Sequence, residues 1–313
     1  MAKQAQAIRI HNYGGPEELK LEQTQIPDPQ TDEVLVRVYA VGVNPVDWKI
    51  TEGWMKDFWP VQFPYIPGRD IAGIIEEVGP GVTAFQKGQA VFGQSAKGGY
   101  TEYIPASINT LALKPDTLSF EEAAAIPVGA TTAWQGLFDH GDLQPGQTVL
   151  VQGASGGVGL FAVQFAHWKG ARVIATTSSS NVDFVRSLGA DRVIDYTSEP
   201  VEQAVHDADL VFDTVGAPTL ASSLKALKNG GTLVTIAGQP EEAQAKEKNA
   251  RVERFSAQVS HDLLETFAKL IQEGKLKVEL EATYPLAEAA QAHQRSKTGH
   301  GRGRIVLKVA NQQ

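Results

Sequence analysis

The sequence predicts an α/β protein, with a doubly wound parallel sheet joined to a β-rich barrel domain. Three observations predict it. Residues 147–240 alternate short apolar runs with helical segments, the pattern of parallel strands linked by right-handed crossovers. Residues 1–115 are rich in glycine and proline and read as short strands at close spacing, the pattern of a barrel-like β domain. The length of 313 residues suits two domains.

Each element has its own warrant. "EVLVRVYAVGV" (33–43) alternates apolar and polar residues, and "DIAGIIEEVG" (70–79) is an apolar run ending at Gly79-Pro80-Gly81. "QAVFG" (89–93) and "YTEYIPA" (100–106) are short, β-prone and bounded by glycine or proline. Ser119 with Glu122 three residues later is a capping box that opens a helix. The central strands are 148–153, 172–177, 192–195, 210–215 and 231–238, with helical character over 158–169, 181–188, 199–206 and 218–228. The first two of these strands are near-continuous apolar runs, as strands covered on both faces should be. Residues 240–256 are charged and polar and read as a loop or an exposed helix. Residues 261–276 have apolar residues at helical spacing; "VELEATYPL" reads as a strand, "AEAAQAHQRSK" as a helix and "GRGRIVLKV" as a closing strand. This last part is expected to fold back onto the N-terminal domain. The expected division is residues 1–120 with 262–313, and residues 121–261.

Composition excludes several classes. Hydrophobic residues make up 42% and charged residues 20%, which fits a globular chain. The net charge is −8 with no basic block, so nucleic acid and anionic membrane are poor partners. No apolar run reaches the roughly 18 residues of a membrane span. The stretch "MAKQAQAIRIHNYGG" lacks the apolar centre of a signal peptide, so a cytoplasmic protein is expected. There is no cysteine, which removes disulfides, thiolate nucleophiles and thiolate zinc sites. None of the seven histidines shows close ligand spacing, so no metal is expected.

The sharpest motif is "QTVLVQGASGGVGLFAVQFA" (147–166). An apolar strand leads into four glycines in seven residues, and a helix follows. Ala154-x-Gly156-x-x-Gly159 matches the dinucleotide fingerprint of the Rossmann fold, with alanine in the first slot and Gly157 and Val158 inside it. The turn must be tight, the backbone must approach a pyrophosphate, and the helix N-terminus favours its charge. Its place after a strand, within a run of βα units, strengthens a motif that is weak alone. An acidic residue about 20 positions on would hold a ribose 2′-hydroxyl. Here Thr176, Thr177, Ser178, Ser179, Ser180 and Asn181 fill the place, and no carboxylate appears until Asp183. Hydroxyls and amides donate to a 2′-phosphate where a carboxylate repels it, which favours NADP(H). Tyr196 is a further donor. The same serines also suit a helix N-cap.

The motifs "GVNPVDWKI" (42–50), "PGRDIAGIIEEVG" (67–79), "AAAIPVGATTAWQGL" (123–137), "GASGGVG" (153–159) and "LGADRVIDY" (188–196) span most of the chain. In content and order they resemble the medium-chain dehydrogenase/reductase superfamily, and within it the zinc-independent quinone oxidoreductases and alkenal or enone reductases. The resemblance implies a GroES-like fold for the β-rich domain. Zinc-dependent members carry Cys where Asn44 stands, His-Glu where Arg69-Asp70 stands and a second Cys near Val128; here every such ligand is replaced. The metal that polarises an alcohol or carbonyl oxygen is thus not expected.

By the same resemblance, Asn44 and Lys49 line the nicotinamide pocket. They would stabilise the oxygen-centred charge left by hydride addition to an enone or quinone. Asn44-Pro45 is equally a favourable turn pair, a lysine is ordinarily a solvated charge, and Asp47 suits a salt bridge or a turn. Thr131 and Thr132 follow a turn resembling the nicotinamide-side helix start, and Gly238 stands where backbone groups meet the carboxamide. Relatives with "SSKN" have a lysine before the asparagine; this chain has Ser180-Asn181, leaving Arg295 or Lys297 as candidate clamps on the 2′-phosphate. The implied activity is NADPH-dependent reduction of a small quinone or enone. The alternatives are an enoyl-thioester reductase of the same superfamily and a non-catalytic NADPH-binding protein. "GTLVTIAG" (231–238) would leave an apolar sheet edge. Relatives pair such edges across a twofold axis, so a homodimer is expected.

Overall fold

The structure is a computed structural model and describes residues 4–310. Residues 1–3 and 311–313, which the sequence assigns to the ends of the β-rich domain, lie outside the described residues. The chain divides into two compact units. The first gathers the chain up to Val128, Val259–Gly274 and the chain from Val278 onward; the second is Gly129–Gln258 with Lys275–Lys277. Ala125 and Val128 stay with the first unit because each hydrogen-bonds into it, the Ala125 carbonyl from Arg304 and the Val128 amide to Asp70.

The first unit opens with an antiparallel ribbon of β1 (Gln4–Arg9) and β2 (Lys20–Gln25). Then come β3 (Glu33–Val43), α1 (Pro45–Thr51), β4 (Asp70–Val78), β5 (Ala90–Gln94), β6 (Tyr103–Ser107), β7 (Leu111–Leu113) and α2 (Phe120–Ala124). The long strand β3 pairs antiparallel with both β4 and β6. Its valines Val34, Val36, Val38 and Val41 pack with Ile71, Ile75, Val91 and Ile104 in one core. The strand expected from residue 100 starts at Tyr103 instead. Tyr100 leaves the ladder: its amide donates to the Pro67 carbonyl and its ring is fully buried. The capping box at α2 is formed, with Glu122 N–H donating to Ser119 Oγ and Ser119 N–H to the Glu122 carboxylate.

Helix α3 (Pro127–Trp134) crosses the division. The second unit continues with β8 (Thr148–Gln152), α4 (Gly159–Lys169), β9 (Arg172–Thr177), α5 (Val182–Ser187), β10 (Arg192–Asp195) and α6 (Val201–Ala204). It ends with β11 (Ala208–Asp213), α7 (Leu220–Ala226), β12 (Leu227–Thr235), α8 (Glu242–Glu247) and β13 (Arg251–Arg254). The sheet order is β10-β9-β8-β11-β12-β13, parallel throughout. That is the doubly wound dinucleotide arrangement, whose strand order reverses between β8 and β11 and whose ligands bind outside the carboxyl ends of the strands. Val149, Leu150 and Val151 are fully buried, as an apolar run flanked by helices on both faces should be.

Strand β13 corrects the sequence reading of 240–256 as a loop or exposed helix. Only α8 within it is helical, and Arg251–Arg254 adds a sixth strand beside β12. Its one apolar residue is Val252, too little for a strand pattern. The open edge expected at β12 is therefore covered. The outer strand is the charged Arg-Val-Glu-Arg run, which blunts an edge rather than leaving it apolar.

After α9 (His261–Gln272), β14 (Leu280–Pro285), α10 (Ala289–Lys297) and β15 (Arg304–Lys308) complete the first unit. β15 pairs antiparallel with β3, Ile305 opposite Val43, and β14 lies parallel to β15. The closing segment thus returns to the N-terminal sheet, whose order is β14-β15-β3-β4-β5-β7 with β6 on β3. Among the described residues, no helix is long and apolar enough to cross a membrane.

Candidate functional site

In the second unit the candidate residues gather at the carboxyl ends of the parallel strands. Gln152 ends β8, and the turn that follows is tied to β9: the Ala154 amide donates to the Thr176 carbonyl over 3.0 Å, and the Gly153 amide to Thr176 Oγ1 over 3.2 Å. A Cβ on Gly159 would lie 2.2 Å from the Gly153 carbonyl oxygen, so close packing of helix on strand demands glycine there. Gly156 differs. A Cβ on it would meet only the Gly153 oxygen, at 3.4 Å, so packing alone does not require glycine. The space it leaves fits the close approach of a pyrophosphate. The Gly157 carbonyl would sit 2.7 Å from a Cβ on Gly129, so the start of α3 packs directly on the glycine turn. Val158 caps α4.

Two hydroxyls in this unit are buried without a hydrogen-bond partner: Thr131 Oγ1 on α3 and Thr177 Oγ1 at the end of β9. A buried hydroxyl left unmatched costs about 1–3 kcal/mol, so each marks a place where a ligand group fits. Beyond Thr177, Ser178 and Ser180 lie 3.4 Å apart through their hydroxyls, and Asn181 Nδ2 donates to Ser178 and Ser155 at 3.4 Å. Tyr196 is exposed, its amide bonded to the Thr177 carbonyl. Gly238 has φ +77°, and a Cβ there would press on Leu220. It follows β12, next to the turn that Asp213 organises. That buried carboxylate accepts from the Val215 and Gly216 amides, Thr219 Oγ1 and Ser223 Oγ.

Sequence reasoning missed Asp195. Counting along the chain found no carboxylate before Asp183, but parallel pairing sets Asp195 of β10 opposite Thr177 of β9. Ser179 Oγ donates to Asp195 Oδ2 over 2.6 Å and Thr197 Oγ1 to Oδ1 over 2.6 Å. These bonds, Ser179's first, hold the carboxyl below its ordinary pKa. The topological pairing of adjacent strand ends was the signal that could have found it.

In the first unit Asn44 opens α1 inside a buried knot. Its Nδ2 donates to Asp70 Oδ2 over 3.0 Å, and its Oδ1 accepts from Arg304 Nη2 over 2.7 Å. One neighbour only accepts and the other only donates, which fixes the amide orientation. Asp70 also accepts from Gln94 and the Val128 amide, and lies 3.4 Å from Arg304. Burial pushes the Asp70 carboxyl up, against the pull of Arg304. Three of the positions that hold zinc ligands in the resembling enzymes, Asn44, Asp70 and Val128, are thus joined by hydrogen bonds and closed by a guanidinium. Among the described residues no group of three or more histidine, aspartate or glutamate side chains is arranged to hold a metal ion.

Beside this knot, Asp47 Oδ2 accepts from the Asn44 amide over 2.7 Å and from the Tyr100 hydroxyl over 3.3 Å; that hydroxyl lies 3.0 Å from His293 Nε2. Burial pushes Asp47 up to about 7, the Asp70 charge adding to it. Burial drives His293 down to about 4. The sequence named Asp47 only as a salt-bridge or turn residue and did not foresee Tyr100 or His293, because they meet only through tertiary packing.

Lys49 has no ion-pair or hydrogen-bond partner among the described residues; its ammonium lies 5.5 Å from the Trp48 ring centroid. Arg295 and Lys297 are committed elsewhere. Arg295 pairs with Glu281, and Lys297 with Glu52 at 2.7 Å, lying also over Trp48 and Trp54. Neither is a free cation for a phosphate. The structure thus brings the fingerprint, Thr131, the Thr177–Asn181 stretch, Tyr196 and Gly238 to one end of the parallel sheet. Asn44, Lys49 and Arg295 belong to the other unit.

Comparison with known proteins agrees with this layout. The family described as "Alcohol dehydrogenase GroES-like domain" matches residues 30–116, and that described as "Zinc-binding dehydrogenase" matches residues 188–307. A quinone oxidoreductase of Mus musculus is 36% identical over 97% of this chain and 98% of its own length. The chloroplastic NADPH-dependent alkenal/one oxidoreductase of Arabidopsis thaliana is 34% identical over 97% of this chain and 80% of its own. The solved structure of Escherichia coli quinone oxidoreductase complexed with NADPH superposes with a TM-score of 0.89 at 29% identity, over 97% of this chain and 100% of that one. A glycine turn at the reversal point of a parallel sheet, a first unit closed by the C-terminal strand β15, and these full-length likenesses place the chain in the medium-chain dehydrogenase/reductase superfamily, within its quinone oxidoreductase and alkenal reductase subgroup.

Proposed function

We propose that the chain is an oxidoreductase that uses NADPH to reduce quinones, or the C=C bond of α,β-unsaturated carbonyl compounds, without zinc. The observation that carries this reading is the pairing of a glycine cradle with two buried, unpartnered hydroxyls, Thr131 and Thr177, in one unit. They fit a dinucleotide: the cradle with Gly156, Gly157, Val158 and Gly159 for the pyrophosphate, Thr177, Ser178, Ser180, Asn181 and Tyr196 for the adenosine ribose, and Thr131 and Gly238 for the nicotinamide end. When bound, NADPH supplies a hydride. Arg295 adds nothing to this reading, since Glu281 neutralises it.

The residues of the first unit then have separable tasks. Lys49, a cation without a carboxylate partner, stabilises negative charge on the acceptor oxygen. Asn44 holds the start of α1 in place through Asp70 and Arg304, which positions Lys49 one turn later. One N–H of the Asn44 amide is bound to Asp70 and the other is available to the acceptor oxygen. The acceptor proton comes from water, since no cysteine exists and His293 is buried and already bonded to Tyr100. Zinc independence rests on the knot: the Asn44 amide and the Arg304 guanidinium, neither of them among the thiolate, imidazole and carboxylate donors that hold zinc, occupy it. The homodimer stays in this proposal on the family likeness alone, since β13 covers the edge that argued for it; a monomer in sedimentation at micromolar concentration removes it. The test of the function is NADPH oxidation with 9,10-phenanthrenequinone and with a short alkenal. Turnover of either supports the reading, and turnover of neither, with propan-2-ol oxidised instead, overturns it.

A further inference from the structure

The segment between α1 and β4 is held by its backbone and yet shows its aromatic rings to solvent. The Trp54 amide donates to the Lys49 carbonyl, the Phe58 amide to the Met55 carbonyl, and the Val61 amide to the Tyr13 hydroxyl. Tyr13 and Phe63 meet edge to face at 4.9 Å. Despite this anchoring, Trp54 is 64% exposed, Phe58 89% and Trp59 39%. Three exposed apolar rings within six residues of an anchored segment mark a place where something binds.

Two polar side-chain groups here are buried donors without acceptors, Arg69 Nε and Trp48 Nε1. The Arg69 side chain has no carboxylate or hydrogen-bond partner among the described residues; its Nε is buried and unmatched. Its guanidinium carbon lies over the Trp59 ring, 5.1 Å from the centroid, a cation–π contact that uses none of its N–H donors. It is close enough to Tyr65 to oppose the burial that raises that hydroxyl to about 12. Trp48, only 8% exposed, has a buried Nε1 with no acceptor, and Lys49 is adjacent to it. Two other arginines of this unit find carboxylates, Arg304 in Asp70 and Arg302 in Glu279.

We infer that Arg69 is an anion-binding specificity residue, and that the acceptor is an aryl-substituted unsaturated carbonyl compound that carries a carboxylate. The exposed rings of Trp54, Phe58 and Trp59 take the aryl group, and the guanidinium edge takes the carboxylate, the geometry for which arginine is suited. This rests on the proposed reduction of conjugated carbonyls and names the class of acceptor for it.

The test uses a probe that cannot be reduced at a C=C bond, so it does not depend on turnover. 3-Benzoylpropionate and its neutral analogue butyrophenone are titrated into the full chain by ligand-observed NMR. Binding of the acid at least tenfold tighter than the ketone is expected, and Arg69→Gln should bring the two within twofold. Arg69→Lys, which keeps the charge but loses the planar fork, should retain part of the preference. The thermal midpoint of each variant reports folding. Equal binding of acid and ketone by the unaltered chain overturns the inference, and so does a preference that survives Arg69→Gln or is unchanged in Arg69→Lys. If Arg69→Gln does not fold, the unaltered chain and Arg69→Lys decide. The reduction of trans-3-benzoylacrylate is then compared with that of 1-phenylbut-2-en-1-one. If neither is reduced while the saturated acid binds through Arg69, the reductase reading fails and the anion site stands.

Discussion

The Ser179 hydroxyl donates to the Asp195 carboxylate over 2.6 Å at the paired ends of β9 and β10. The hydroxyl-rich stretch proposed above to meet a 2′-phosphate therefore faces a negative charge. Ser178, Ser180 and Asn181 remain as donors, and the carboxylate works against them. We expect the unaltered chain to prefer NADPH over NADH only modestly. Asp195→Asn should raise the NADPH-to-NADH ratio of kcat/KM by about threefold to tenfold, the scale of a screened charge a few ångströms away. Ser178→Asp should shift it the other way. An unchanged ratio in Asp195→Asn would show that this carboxylate does not act on the 2′ position, and a tenfold preference of the unaltered chain for NADH would overturn the NADPH reading of this loop.

The knot of Asn44, Asp70 and Arg304 is the second point of test. Arg304→Ala leaves Asp70 buried without its cation, and breaking such a pair costs about 3–5 kcal/mol. Urea denaturation should show a loss of this order. The double change Asp70→Asn with Arg304→Met should cost less than the sum of its parts, since it removes both charges. Because the knot needs no metal, prolonged EDTA treatment should leave reductase activity intact. Activity lost to EDTA and regained with zinc would overturn the zinc-independent mechanism.

Asp47 and His293, linked through Tyr100, should make opposite contributions to stability across pH. Asp47 goes from 3.8 to about 7 on folding, so the folded chain holds that proton more tightly. Its contribution is greatest below pH 3.8 and is lost as pH rises to about 7. His293 falls from 6.5 to about 4, so the unfolded chain holds the proton more tightly there. Its contribution is lowest below pH 4 and recovers as pH rises to 6.5. In the unaltered chain the two largely offset. Asp47→Asn should therefore give a stability that rises more steeply with pH between about 4 and 6.5 than the unaltered chain. His293→Gln should give one that falls relative to it up to about pH 7. Urea midpoints across this range check both, and parallel curves for all three proteins would show that neither group titrates in the folded core.

What the sequence revealed follows how local each signal is. The limits of β3 at 33–43 were legible because alternation and flanking turns are local, and α4 was legible because the fingerprint and the apolar run adjoin it. β13 was not, because Arg251-Val252-Glu253-Arg254 has an edge strand's charge and only one apolar side chain. Of the site, the glycine turn and the threonines could be read along the chain. Arg304 could not be matched to Asp70, since the pair forms only when β15 pairs with β3 and brings together residues 234 positions apart. Asp195 escaped for the same reason on a smaller scale: its nearness to Ser179 exists only across a parallel ladder.

Lys49 carries the chemistry in this reading, and it is the residue whose removal separates site from surface. Its ammonium has no carboxylate beside it and stands at the end of a helix whose start is fixed by Asn44 and Asp47. Removing one oxyanion donor from an enclosed site costs about 2.7–4 kcal/mol. Lys49 is only half-buried, where water shares the work, so Lys49→Ala should lower kcat/KM by about tenfold to a hundredfold. The loss should be larger for an alkenal than for a quinone, because the quinone's second carbonyl delocalises the charge that Lys49 otherwise meets. Saturated aldehydes and simple alcohols should be poor substrates in either direction, having no conjugated carbon to accept a hydride. An unchanged kcat/KM for both acceptors, with NADPH still bound, would make Lys49 a surface charge and move the oxyanion task to Asn44 alone.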